Sequence, residues 1–150
     1  MGELRLEDLS ASNIVAANGL TLRRGQEQFV TPTSYSIVDA YIDPLTTWSR
    51  VVLDGDRVVG FVRANFDPDS DQEEFRSCIW RIHVDADVQG GGVGRFAVAA
   101  AAEEARTRGF SRLNVIWEPG EEGPEAFFLK VGFTVVGETQ YGEHLGAMDL

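Results

Sequence analysis

Hydrophobic and polar positions alternate most clearly between Trp48 and Phe66. Trp48–Leu53 and Arg57–Phe66 are rich in β-branched and aromatic residues, which suit a pleated, half-buried surface. Asp54-Gly55-Asp56 separates them, and an Asp-Gly step supplies the positive φ of a tight hairpin turn. Phe75–Val84 predicts a third long strand and Leu113–Trp117 another. Phe133–Glu138 and Leu145–Leu150 predict a closing hairpin around Tyr141-Gly142. The period turns helical at Val93. Val93, Phe96, Ala97, Ala100 and Ala101 recur on one face, so Val93–Arg108 reads as a helix ended by Gly109. Glu121–Lys130 reads as a short helix stopped by Gly132. Nearer the start, Leu4, Leu6 and Leu9 suggest a short strand. Ser10 or Ser12 is placed to cap a helix near Asn13–Leu20, and Ser34–Ile42 reads as a second helix closed by Asp43-Pro44. Thr21–Thr33 is polar and has no clear period. The order is β, α, α, β, β, β, α, β, α, β, β. No linker or repeat interrupts it, so residues 1–150 are expected to form a single domain.

Charge narrows the partners. Thirteen basic residues face 24 acidic ones, a formal charge of −11. That balance argues against nucleic acid, whose phosphates need a basic face. It suits a solvated, soluble surface first and a cationic ligand second. The single cysteine, Cys78, forbids an intramolecular disulfide. His83, His144 and Cys78 show no metal-ligand spacing, so no metal is expected. The longest apolar run, Ala97-Val98-Ala99-Ala100-Ala101-Ala102, is far shorter than the ~20 residues of a membrane span. The opening Met1-Gly2-Glu3-Leu4-Arg5 has no secretory pattern, and Leu6 stands where a myristoylation signal wants Ser or Thr. These features predict a soluble, cytoplasmic protein with no membrane partner.

The chemistry concentrates in Val84-Asp85-Ala86-Asp87-Val88-Gln89-Gly90-Gly91-Gly92-Val93-Gly94-Arg95, between a predicted strand and a predicted helix. Glycines expose consecutive backbone N–H groups, and a helix N-terminus leaves its first four N–H groups without intrahelical partners. Its dipole favours an anion by typically ~0.3–1 kcal/mol. The segment therefore reads as a phosphate cradle. Gly94-Arg95-Phe96 lacks the Lys and Ser/Thr of a Walker loop. A dinucleotide fingerprint belongs in a first βαβ unit, whereas this loop follows several antiparallel-looking strands.

Gln89-x-x-Gly92-x-Gly94, preceded by Ile82-His83-Val84-Asp85, resembles the acetyl-CoA motif of the GNAT acetyltransferase superfamily. Leu129-Lys130-Val131-Gly132-Phe133 resembles that family's helix-to-strand signature, and the order of elements is similar over nearly the whole chain. The resemblance implies the GNAT acyl-CoA N-acyltransferase fold, of α/β (α+β) class. Its mixed, mostly antiparallel central sheet is flanked by helices, with strands splayed at the cofactor site. It further implies acetyl-CoA as co-substrate. By position, the backbone of Ile82, His83 and Val84 would pair with the pantetheine arm. Gln89, Gly90, Gly91, Gly92, Val93, Gly94 and Arg95 would hold the pyrophosphate. Thr46–Phe66 and the acidic tip beyond it look most like bacterial spermine/spermidine (diamine) acetyltransferases. The acceptor so implied is a small-molecule amine such as a polyamine; an aminoglycoside, an amino acid or a protein N-terminus are the alternatives. A protein that holds acyl-CoA without turnover is another. Relatives are frequently dimers, which leaves a homodimer as one expectation.

Acetyl transfer needs a neutral amine, and an alkylammonium of pKa ~10.4 is neutral only about one part in a few thousand at pH 7. A base, a donor to the oxyanion and a proton for the thiolate are needed. The backbone N–H of Val84 is one candidate oxyanion donor. Family members often carry a Tyr on the helix before Gly132-Phe133, where this chain has Phe128. Glu121 replaces the usual Asn, Pro124 stands where a small residue is typical, and Trp80 stands where some polyamine acetyltransferases use a carboxylate. The candidates left are Glu74 as a base through water, together with its neighbour Glu73. His83 is a titratable ring near the cradle, and Tyr141 is a substitute acid. Tyr35 and Tyr41 read as acceptor-pocket walls or packing, and Trp48, Trp80 and Trp117 as walls or core. Cys78 reads as a buried small hydrophobe. Asp67, Asp69, Asp71, Glu73, Glu74, Glu121 and Glu122 could meet a polyamine.

Overall fold

The computed structural model describes residues 3–20, 45–120 and 123–150. The predicted helix Ser34–Ile42, with Tyr35 and Tyr41, lies outside the described residues, as do Glu121 and Glu122. Chain order is β1 (Leu4–Asp8), α1 (Ile14–Asn18), β2 (Thr47–Asp54), β3 (Arg57–Phe66), β4 (Ser77–Val84), α2 (Val93–Thr107), β5 (Arg112–Trp117), α3 (Glu125–Val131), β6 (Thr134–Glu138) and β7 (His144–Asp149). The strands form one seven-stranded sheet in the order β1-β2-β3-β4-β5-β7-β6. Only β4 and β5 are parallel neighbours; the other pairs are antiparallel. This is the mixed, mostly antiparallel sheet that the resemblance implies.

Each face of the sheet has its own apolar cluster. On one, Val52, Val62, Ala64, Ile79, Leu113, Val115 and Trp117 meet α2 and the aromatic residues Phe128 and Phe133. Helix α2 turns Val93, Ala97, Val98, Ala101, Ala102 and Ala105 inward. Alanine is the best helix former, and its small side chain lets the helix lie close to the strands. On the other face Val51, Leu53 and Phe61 pack with Ala17 of α1. Full burial of a Val, Ile or Phe contributes about 1.5–3 kcal/mol, so these two clusters fix which side each strand residue faces.

Two predicted boundaries move. Ser10 and Ser12 do not cap α1, because their hydroxyls bond each other at 2.8 Å. Asn13 stands at the cap position instead. Its Oδ1 accepts from the Ser10 N–H at 2.9 Å and its Nδ2 donates to the Asp8 carbonyl at 2.8 Å, tying the end of β1 to the start of α1. The helix predicted from Glu121 begins at Glu125. Gly123 N–H closes a turn on the Gly120 carbonyl at 3.1 Å, and Pro124, with its fixed φ and no N–H, suits a helix start rather than an interior.

Candidate active site: a split seam, a glycine cradle and an acidic cavity

The parallel seam between β4 and β5 is two residue pairs long, Cys78↔Asn114 and Ile79↔Val115. Beyond it the two strands part. The cause lies on the other edge of β4. Arg63 pairs with Arg81 but Ala64 pairs with Ile79, so Trp80 is an extra residue in β4. Such a bulge bends its strand, and here it falls where the seam ends. It also explains why Ile79 and Ile82, three apart, reach the same core cluster. From Trp80 to Val84, β4 keeps β3 on one side and has no β5 pairing on the other. A strand edge with no neighbouring strand paired to it can accept an extended ligand through main-chain hydrogen bonds.

The cradle follows directly. Ala86–Val88 form a 3₁₀ turn, Gln89 is extended, and Gly90 and Gly92 have φ of 88° and 90°. The Gln89 side chain donates from Nε2 to the Val84 carbonyl at 3.0 Å, folding the loop back onto the strand. Asp85 is buried and bonded to Arg57 at 2.9 Å, which anchors the loop's entry. Gly92 occupies the cap position of α2, and the first intrahelical bond is Phe96 N–H to the Gly92 carbonyl at 3.0 Å. The N–H groups of Val93, Gly94 and Arg95 precede that bond and have no intrahelical acceptor.

The glycines serve two purposes. A Cβ on Gly92 would meet nothing within 4 Å, so space is open there and the left-handed φ is what requires glycine. A Cβ on Gly94 would lie 2.9 Å from the Phe127 ring of α3, so Gly94 allows α3 to approach the start of α2. Open space, free N–H groups and a helix N-terminus fit the pyrophosphate of a coenzyme A thioester. Gly90 to Arg95 would hold that group and the edge of β4 beyond the seam its pantetheine arm. When bound, the thioester supplies an activated acetyl group. Val93 offers only its backbone, since its side chain is buried, and Arg95 is exposed in the first turn.

Beside the seam lies a cavity of about 280 Å³ lined by Glu73, Glu74, Arg76, Ser77, Arg112, Asn114, Val136 and Leu145, among others. Asn114, at the seam, donates from Nδ2 to the Glu74 carbonyl at 3.1 Å, so the seam and the acidic turn are directly joined. Arg76 donates to the Ser70 carbonyl at 3.0 Å and Arg112 lies 3.6 Å from Asp149. Both arginines are thus already engaged, whereas the Glu73 and Glu74 carboxylates have no ion-pair partner among the described residues. The neighbouring tip is stiffened by the Asp69 N–H donating to Asp67 Oδ1 at 3.0 Å.

Of the predicted catalytic residues, Glu74 borders this cavity. His83 is buried opposite Phe61, on the face away from Ile82 and Val84. Tyr141 stands 79% exposed in the closing turn. Neither His83 nor Tyr141 lines the cavity. Trp80 packs between the Arg63 guanidinium and Phe75, at 5.0 and 5.4 Å. Trp48 and Trp117 are core. Cys78 is buried at the seam, and burial, reinforced by nearby Glu74 and partly offset by Arg63, pushes its thiol far up.

A cluster absent from the sequence-derived candidates joins three elements at the end of β5. Glu125 Oε1 lies 2.5 Å from His144 Nδ1 and accepts from Trp117 Nε1 at 3.2 Å. The hydrogen bonds from His144 and then Trp117 hold the Glu125 carboxyl below its ordinary range. Phe128, buried, stacks on Trp117 at 5.2 Å. The three partners lie on three different elements, and no local pattern announces them.

A split parallel seam beside a glycine cradle at a helix N-terminus defines an acyl-CoA-dependent acyltransferase. The chain belongs to the acetyltransferase (GNAT) family, whose family model matches residues 20–133, and it is an N-acetyltransferase of that family. No curated protein sequence matches it. Solved structures share the fold. PaiA N-acetyltransferase from Thermoplasma acidophilum, in complex with coenzyme A, has a TM-score of 0.71 at 11% identity and covers 99% of each chain. An acetyltransferase from Thermus thermophilus has a TM-score of 0.69 at 18% identity, with 98% of this chain and 97% of that one covered. The ribosomal-protein-S18-alanine N-acetyltransferase from Escherichia coli has a TM-score of 0.67 at 14% identity, with 98% and 94% covered. Among the described residues, no helix is long and apolar enough to cross a membrane.

Proposed function

We propose that this N-acetyltransferase acts on a small cationic primary amine of the polyamine class, with Glu74 as general base through a water molecule. The observation that carries the reading is the cavity beside the seam, where the Glu73 and Glu74 carboxylates lack an ion-pair partner among the described residues. A cation entering there gains two carboxylates, while Arg112 is paired with Asp149 and Arg76, bonded to a neutral carbonyl, keeps its charge. Deprotonation yields the amine lone pair, which attacks the thioester carbonyl; the C–S bond then breaks and the thiolate takes up a proton. The carboxylates of half-buried Asp67 and of exposed Asp69 and Asp71 add long-range attraction, screened over about 8 Å at physiological salt.

The test is a panel of polyamines, aminoglycosides, amino acids and peptides with acetyl-CoA, products read by mass spectrometry. Polyamines are expected to give the highest kcat/KM, and rising salt to increase their KM more than that of a monoamine. Replacing Glu73 and Glu74 together by Gln should abolish turnover of cationic acceptors while acetyl-CoA affinity holds. Preference for an uncharged or peptide acceptor, or full activity of the double variant, would overturn the proposal.

A further inference from the structure

The first turn of α3 touches both sides of the split between β4 and β5. On one side Glu125, its first residue, is tied to the strands beyond the split. Its Oε1 accepts from Trp117 Nε1 of β5 at 3.2 Å and lies 2.5 Å from His144 Nδ1 of β7. An ionised carboxylate only accepts, so Nδ1 is the nitrogen that carries the proton. His144 Nε2 faces a second carboxylate, Glu138 of β6, at 3.9 Å. On the other side, two residues along, the Phe127 ring lies against Gly94 in the first turn of α2. A Cβ on Gly94 would be 2.9 Å from that ring and 3.6 Å from Val84 Cγ2 at the end of β4, so Gly94 is held between β4 and α3.

We propose that Glu125 and His144 are positioning residues for acetyl-CoA. They brace the first turn of α3 against β5 and β7, so that Phe127 keeps the start of α2, with the N–H groups of Val93, Gly94 and Arg95, in place for the pyrophosphate. The inference rests on the cofactor site described above and adds to it a part played by residues on the far side of the seam. Helix α3 has seven residues, and a helix shorter than ~12–15 residues depends on tertiary contacts for its stability. The contacts at its start are strong ones. Both hydrogen bonds end on a charged oxygen, and such bonds are roughly twice as strong as neutral ones. Glu125 and His144 keep only 34% and 24% of their side chains exposed, which limits competition from water. The Trp117 indole is itself stacked on Phe128 of α3 at 5.2 Å, so Glu125 cannot shift without disturbing an aromatic stack. Neither residue of the pair handles a reacting atom. Loosening it therefore lowers affinity for the cofactor and leaves the chemical step alone.

A mutant cycle in the full chain tests the brace. Acetyl-CoA affinity is read by isothermal titration calorimetry below each variant's Tm, and kcat and KM with the amine that the panel above ranks first. His144→Ala should raise the Kd and KM for acetyl-CoA by about three- to thirtyfold, with kcat within about twofold of the parent. His144→Asn places an amide N–H where Nδ1 stood and should bring affinity back to within about threefold of the parent. Phe127→Ala should weaken binding as His144→Ala does, and the two together no further, because both act through one contact. Should His144→Ala fail to fold, Glu125→Gln, which weakens both bonds at Oε1, takes its place in the cycle. An unchanged Kd in His144→Ala, an equal loss in His144→Asn, or losses that multiply in the double variant would overturn the brace. A fall in kcat at unchanged KM would overturn it too, by giving the pair a part in the chemistry. A parent that does not bind acetyl-CoA would overturn the cofactor site beneath it.

Discussion

Replacing Gly92 by Asp should remove cofactor binding at a modest cost in stability. A Cβ at position 92 meets nothing within 4 Å, and the φ of 90° is the only local obstacle. A non-glycine residue in that region costs about 1–2 kcal/mol. For a chain of this length 1 kcal/mol shifts Tm by about 2–4 °C, so the variant should stay folded with a Tm lower by roughly 2–8 °C. Binding is affected differently. The new carboxylate would stand where the N–H groups of Val93, Gly94 and Arg95 await an anion, and it would both occupy and repel. At ligand concentrations about 100-fold above Kd, binding adds about 2.7 kcal/mol of stability, or roughly 5–11 °C in the parent. Thermal denaturation with and without coenzyme A should show that shift in the parent and none in Gly92→Asp. Gly92→Ala carries the same backbone strain without the charge and should keep part of it. Pantetheine, which lacks the phosphates, should bind parent and Gly92→Asp alike. An equal coenzyme A shift in parent and Gly92→Asp would refute the placement of the pyrophosphate.

A Cβ at Gly146 would run into Cζ3 of the Trp117 indole and lie 2.8 Å from Cη2. That ring is held against Phe128, so Gly146→Ala should cost about 1–3 kcal/mol, visible as a lower Tm and an altered near-ultraviolet spectrum; an unchanged Tm would count against the packing. The lowered Glu125 carboxyl contributes stability that is present above the ordinary carboxylate range and is lost as pH falls through its lower folded value. Parent and Glu125→Gln should therefore differ most near neutral pH and converge in acid, as followed by denaturant melts across pH. Because burial raises the Cys78 thiol and the thiolate is the reactive form, a thiol reagent at pH 8 should label it only after unfolding. Rapid labelling of the native protein would contradict its burial.

Much of the architecture was legible in the residues. Asp54-Gly55-Asp56 marked the β2–β3 turn, and the apolar period marked α2 up to Gly109, because turn chemistry and periodicity are local properties. The cradle was legible for the same reason: consecutive glycines between a strand and a helix expose N–H groups wherever the chain goes next. Pro124 was misread, since the pattern from Glu121 onward looks helical until the proline and the turn at Gly120–Gly123 intervene.

The rest depended on partners distant in sequence. That Trp80 is an extra residue of β4, and that the seam with β5 closes after two pairs, follows from the register of three strands and from no motif within any one of them. The same bulge decides which face each later residue of β4 takes, so it sends His83 to the side of Phe61 and Ile82 toward α2. Glu125, His144 and Trp117 meet because β5 ends where α3 and β7 begin. Glu74 comes to border a cavity only when Asn114 brings β5 against its turn. Sequence alone determined the glycine loop at the start of α2, because one contiguous segment builds it. Tertiary structure decided the acceptor side, because a cavity assembled from several strands exists only once their register is set.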